Sequence, residues 1–189
     1  MNKQNINLKD SFLISMPSSH ESEYKDSLIY LCHHGLFGSM GFILNQTFHM
    51  DLITMLGHLN IPTNENITNQ TLYRGGKIQS DRGFVLHPYD EHNNFSSSYL
   101  ASNKLTLTSS TDILEAMALG QGPKKALIAL GYINWQPGEL ESEIMNNLWL
   151  NCPANLDIIF DVAAKDKIQA AASLLGVNLD QLSSHTGHA

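Results

Sequence analysis

The order of apolar and polar residues predicts short strands and helices that alternate along the chain. Two apolar runs, Ser27–Cys32 and Met40–Asn45, flank a glycine-bearing loop, which is typical of a β-hairpin. From Met50 to Leu59 the apolar residues recur about every third position, with Asp51 near the start and Pro62 beyond the end. That spacing predicts a helix.

The second half of the chain has the same character. Its most apolar run, Lys125–Ile133, predicts the strand around which the core is centred. Apolar periodicity, turn residues and caps predict the other elements. These are strands at Gly83–His87, Tyr99–Thr108, Leu148–Leu150 and Leu156–Phe160, and helices at Thr111–Ala118, Gly138–Asn147 and Ala163–Leu175.

The connections between these elements indicate the fold class. Several neighbouring strands are joined by loops too short for a parallel crossover, and there is no regular β–α–β spacing. We therefore predict a mixed, largely antiparallel α+β domain over residues 1–182, with a flexible tail at 183–189. A doubly wound nucleotide-binding fold is the alternative.

Composition and charge narrow the function classes. The 189 residues include 11 Lys+Arg and 18 Asp+Glu, a formal net charge of −7, and among the basic residues only Lys124 and Lys125 are adjacent. Nucleic-acid-binding domains usually concentrate basic residues in one patch, so this pattern argues against direct DNA binding. No apolar run approaches the roughly 20 residues that span a bilayer.

Two further features predict a cytoplasmic protein. The apolar segment Phe12–Met16 is too short for the core of a secretory leader. The only cysteines, Cys32 and Cys152, lie far apart and outside any C-x-x-C pair, which fits a reducing compartment.

The richest local chemistry lies between Arg74 and Gly83, where Arg74, Gly75, Gly76, Asp81 and Arg82 fall close together. Adjacent glycines leave backbone N–H groups free to face an anion, and arginine offers a planar fork that suits carboxylate or phosphate. The alternative is an ordinary turn in which Asp81 caps local amides. We keep both readings, and include Asn45 as a residue that could lie nearby.

Cys32, with His33 and His34, is the other candidate centre. The spacing does not fit a metal site, because adjacent histidines on a strand point to opposite faces. A hydrolase or thiol-redox enzyme that uses Cys32 and His34 remains the alternative function. The sequence contains no G-x-S-x-G, H-E-x-x-H or Walker A motif and predicts neither a cofactor nor a metal.

Several segments together resemble the AlgH/YqgE family of bacterial proteins. The similarity covers nearly the full length and is carried by Phe12–Pro17, Gly38–Asn45, Gly75-Gly76, Asp81–His87, Ala129–Tyr132, Trp135, Gly138, Leu140 and Glu141. Lys77 stands where the family usually has a proline after its double glycine.

The resemblance implies an α/β fold with a strongly curved, barrel-like sheet flanked by helices. It supplies no established reaction and no catalytic residue. The family's label of transcriptional regulator reflects a genetic association with alginate control and not a DNA contact. The leading hypothesis is therefore a cytoplasmic regulatory or binding protein, whose ligand is a small anion or a protein partner held by the Arg74–Gly83 region.

Overall fold

A curved sheet of ten strands forms the body of the molecule in the computed structural model, which describes residues 7–16 and 24–177. Its strands are β1 (Ser11–Ser15), β2 (Leu28–Gly35), β3 (Gly38–Ile43), β4 (Thr47–Asp51), β5 (Thr71–Arg74), β6 (Ile78–Pro88), β7 (Ser98–Leu100), β8 (Leu105–Thr108), β9 (Leu127–Trp135) and β10 (Trp149–Pro153). Five helices pack against it: α1 (Leu52–His58), α2 (Thr111–Ala118), α3 (Glu139–Met145), α4 (Leu156–Phe160) and α5 (Lys167–Ser173), the last preceded by a 3₁₀ turn at Ala164–Asp166.

The strand order along the main path is β10-β1-β2-β3-β9-β6-β8-β7. β5 pairs with β9 in parallel, and every other described pairing is antiparallel. The sheet curves into a half-barrel, so the predicted antiparallel α+β class is confirmed and the doubly wound alternative is wrong.

β9 is the structural centre that its apolar sequence predicts. On one edge it pairs with β6, and on the other with β5 through residues 128–130 and with β3 through residues 133–135. Its side chains enter all three buried clusters. These clusters lie under α4 and α5, under α1 and α2, and under α3, respectively.

Most predicted elements are present, and the exceptions have local causes. Leu156–Phe160 is helix α4 and not a strand, because the Asn155 side chain caps it by accepting from the backbone N–H groups of Asp157 and Ile158 at 2.9 and 3.2 Å. The helix predicted from Met50 begins at Leu52 instead, since Asp51 is its N-cap.

Other elements also differ from the predictions. Tyr99–Thr108 is a hairpin of two strands, and the last helix is confined to Lys167–Ser173. β1, β4 and β5 are not among the predicted elements. The predicted tail at 183–189 lies outside the described residues, and within them no helix is long and apolar enough to cross a membrane.

Candidate functional site

The glycine pair after β5 packs tightly against the middle of β9. A Cβ atom on Gly75 would lie 2.2 Å from the Gly131 carbonyl oxygen, and one on Gly76 would lie 2.2 Å from the Tyr132 carbonyl. The Gly75 N–H donates to the Leu130 carbonyl at 2.8 Å, so this amide is already bonded within the sheet. The pair therefore lets two backbones approach closely, a packing role that spacing alone could not distinguish from anion binding.

The pairing of β6 with β9 is irregular beside this contact. Ile78 pairs with Tyr132 and Gly83 with Leu130, so residues 79–82 lie opposite Gly131 alone. We call residues 79–82 the β6 bulge. Gln79 has φ of 50° and Gly131 has φ of 70°, and a Cβ on Gly131 would collide with the backbone of the returning chain.

Arg82 extends from this bulge with only neutral partners. Its guanidinium donates to Ser109 Oγ at 3.0 Å and to Gln79 Oε1 at 3.4 Å, and it lies 5.4 Å from the centre of the Phe84 ring. Among the described residues no carboxylate lies within ion-pair distance of Arg82. The cation is exposed and retains donors for a further group.

A cavity of about 570 Å³ opens beside Arg82. Its lining combines polar residues from the β6 bulge, from 109–111 and His58 of α1 with apolar side chains from β4, α1, α2, β6 and β9. A smaller cavity of about 260 Å³ adjoins it, and both are lined by Phe48, Ser80 and Leu130. Together they form what we call the Arg82 groove.

The remaining predicted residues are divided between this groove and other places. Asp81 lines the larger cavity, while Arg74 and Gly76 line the smaller one. The Arg74 guanidinium lies 5.3 Å from the centre of the Phe48 ring.

Asn45 is not brought to the groove. Its Oδ1 accepts from the Leu28 N–H at 2.9 Å, and its Nδ2 donates to the Asp26 carbonyl at 2.8 Å. Its amide therefore fastens the start of β2 to the end of β3.

The N-terminus of α2 borders the groove but is already satisfied. Ser110 and Thr111 line the cavity, yet Asp112 accepts from the Ile113 N–H, from Ser110 Oγ and from Ser96. Burial alone would raise the pKa of Asp112, but the hydrogen bonds from Ser110 and Ser96 outweigh it and lower the pKa. A carboxylate of the chain itself thus occupies the place where an anion would approach this helix.

The thiol of Cys32, the other candidate site, is inaccessible to solvent. The Cys32 side chain is buried, its thiol donates to the Met40 carbonyl at 3.3 Å, and burial raises its pKa to about 12. Nucleophilic cysteines are accessible thiolates, and this group is neither accessible nor ionised near neutral pH.

His33 and His34, which follow a register irregularity in β2, have different partners. His33 Nδ1 contacts the Tyr99 hydroxyl at 3.1 Å. His34 Nδ1 contacts Ser39 Oγ at 2.9 Å, and its Nε2 lies 3.8 Å from Glu141 Oε1 beside a cavity of about 450 Å³. Ser39 is buried and does not line that cavity, so the trio lacks an accessible nucleophile. Within residues 7–16 and 24–177, no three His, Cys, Asp or Glu side chains cluster as metal ligands.

Sequence reasoning missed the apolar half of the groove, namely Phe48, Met50, Met55, Leu59 and Leu114, and also Ser109. Phe48 and Met50 alternate with polar residues, a period-2 signal for β4 that the helix prediction obscured. The other residues come from distant segments that only the sheet topology brings together.

Comparison with known proteins agrees with this architecture. The profile of the AlgH-like family matches residues 12–180. The chain belongs to the AlgH-like family. A UPF0301 protein of Thioalkalivibrio sulfidiphilus is 43% identical over 97% of both chains. One from Thiobacillus denitrificans is 37% identical over 98% of this chain and 100% of its own length.

Two solved structures have a fold similar to that of this chain. The solution structure of the AlgH protein from Pseudomonas aeruginosa is 37% identical, with a TM-score of 0.80 over 100% of both chains. The crystal structure of protein DIP2367 from Corynebacterium diphtheriae is 17% identical, with a TM-score of 0.71, covering 97% of this chain and 94% of that one. The second likeness is one of fold alone.

Proposed function

We propose that this AlgH-like protein is a binding protein whose Arg82 groove takes a small molecule with an anionic group. The observation that carries the proposal is an exposed guanidinium with only neutral partners at the rim of a cavity of about 570 Å³. Cavities of this size are typical of small-molecule sites, and arginine binds carboxylate and phosphate through its planar fork.

The net charge of the chain supports recognition of the anionic ligand by the Arg82 guanidinium. The chain carries a net charge of −7, so an anion meets overall repulsion and needs a specific cation at close range. Arg82 supplies that cation, and Arg74 and Lys77 lie along the adjoining cavity.

Regulation by this protein would follow from occupancy of the groove and not from contact with DNA. Its 11 Lys and Arg residues are scattered along the sequence and outnumbered by 18 Asp and Glu, which does not favour the displacement of counterions from a duplex. Two buried free thiols are compatible with the reducing cytoplasm, which we propose as its compartment.

The test is a thermal-shift screen of acetate, phosphate, citrate and nucleotides on the full chain, repeated with Arg82→Gln. A ligand at about 100 times its Kd stabilises the folded state by about 2.7 kcal/mol. For a chain of this length that raises Tm by roughly 5–10 °C. We expect at least one anion to raise the Tm of the wild type and to lose most of that effect in Arg82→Gln.

Lys104→Gln is the matched control, because it removes one exposed positive charge from the turn between β7 and β8, outside both cavities of the groove. Equal losses in the two variants would assign the effect to net charge and refute a site at Arg82. No shift with any anion would refute anion binding in the groove.

A further inference from the structure

The larger cavity of the Arg82 groove has more room and more apolar wall than an anionic group alone requires. We propose that its ligand is a monocarboxylate with an unbranched aliphatic tail. The carboxylate binds Arg82, and the tail lies along side chains from β4, α1 and α2. This inference rests on the proposed function and specifies the chemical class of the ligand.

The polar rim suits a head group with a single negative charge. Ser109 Oγ accepts from Arg82 at 3.0 Å, which leaves the serine proton free to donate to a bound oxygen. Asp81 lines the same cavity, so a dianion would face a carboxylate as well as the guanidinium. A carboxylate can take the remaining donors of Arg82 with less repulsion from Asp81 than a phosphate dianion would meet.

The apolar lining of the cavity suits an aliphatic chain. It is formed by Phe48, Met50, Met55, Leu59 and Leu114, and Val85 and Leu130 also line the cavity. Leu59 is 49% exposed in the absence of a ligand, so a tail lying across it would remove apolar surface from water. The two methionines can adapt to an unbranched chain.

Two neighbouring positively charged features, the N-terminus of α2 and Arg74, are less suited to bind the carboxylate. The N-terminus of α2 is occupied by Asp112, and the Arg74 guanidinium lies over the Phe48 ring in the smaller cavity. Arg82 is the guanidinium that lines the larger cavity, where His58 of α1 is the other basic side chain. The proposed tail lies along the apolar side chains of β4, α1 and α2.

The experiment is isothermal titration calorimetry of the full chain with acetate, hexanoate and decanoate, all below their micelle concentrations. Full burial of one methylene is worth about 0.8 kcal/mol, or roughly fourfold in Kd. Because the groove is open, we expect roughly twofold per methylene and at least a tenfold gain from hexanoate to decanoate.

Two variants separate the head from the tail. Arg82→Gln should weaken decanoate at least tenfold. Leu59→Ser should weaken decanoate severalfold and acetate hardly at all. The matched control is Leu119→Ser, since Leu119 ends α2 as Leu59 ends α1, is 45% exposed and lies outside the groove. We expect Leu119→Ser to bind decanoate as the wild type does.

Each contrary outcome has a distinct meaning. If acetate and decanoate bind equally tightly through Arg82, or decyl phosphate binds tighter than decanoate, the ligand class is wrong and the proposed anion site stands. If decyltrimethylammonium binds as well as decanoate and Arg82→Gln has no effect, the anion site itself is wrong. Absence of binding by all of these probes overturns the aliphatic ligand class, and the thermal-shift screen with phosphate, citrate and nucleotides then decides the anion site.

Discussion

Two cations of this protein, Lys167 and Arg82, lack a described carboxylate partner, and their surroundings differ sharply. Lys167 is 1% exposed, donates to the Ile159 carbonyl at 2.7 Å and lies 4.8 Å from the centre of the Tyr73 ring. Arg82 is exposed, donates to a hydroxyl and an amide, and borders a cavity.

Exposure to solvent decides whether a cation without a carboxylate partner can bind a ligand. Burial lowers the pKa of Lys167 to about 8, and its ammonium is committed to a carbonyl in the last turn of α4, where a cation is favoured. That lysine therefore fastens α4 to α5. Arg82 has no such commitment, and its remaining donors face open space that a ligand can fill.

The largest expected effect is on the scaffold that holds Arg82 in place. Gly76→Ala puts a methyl group 2.2 Å from the Tyr132 backbone, so we expect the free energy of unfolding to fall by at least about 3 kcal/mol. Urea denaturation measures this loss. Gly57→Ala is the control, because nothing lies within 4 Å of its added methyl group and α1 should gain roughly 0.5–1 kcal/mol. Equal stability of Gly76→Ala and the wild type would contradict the close backbone contact.

The next effect concerns the buried cation. Because the pKa of Lys167 is about 8 in the folded protein and about 10.5 in the unfolded chain, the unfolded state holds more protons between these values. Stability should therefore rise with pH, by up to about 1.4 kcal/mol per pH unit from this group. Unfolding curves between pH 8 and 9.5 should show the rise in the wild type.

Lys167→Met should remove that contribution to the slope. Lys165→Met, which alters an exposed lysine on the preceding turn, should retain it. If the wild type and Lys167→Met follow the same pH dependence, Lys167 is not the buried cation described above.

The smallest effect is on the exposed cation. Arg82→Gln should change the free energy of unfolding by no more than about 0.5 kcal/mol, since exposed side chains away from the core contribute little. Chemical denaturation without added anions tests this. A loss as large as that of Gly76→Ala would mean that Arg82 supports the fold, and the contrast with Lys167 would disappear.

An element can be predicted from the sequence when the residues that determine it are neighbours in the chain. The apolar run that became β9 and the hairpin of β2 and β3 were predicted because their patterns are local. The five residues of α4 were assigned as a strand, since so short an apolar run suits either structure and Asn155 decides it. Arg82 is a candidate for anion binding because of its residue type. Ser109, Met55 and Leu59 come from distant segments, which only the sheet topology brings close to Arg82.

The glycines beside the β6 bulge and the arginine within it have different roles. Gly75, Gly76 and Gly131 are required by close backbone contacts within the sheet, whereas Arg82 is exposed and contacts the side chains of Gln79, Ser109 and Phe84. If Arg82 binds the ligand as proposed, a single substitution at this position would abolish binding and leave the fold intact, so relatives that share this fold need not share its ligand.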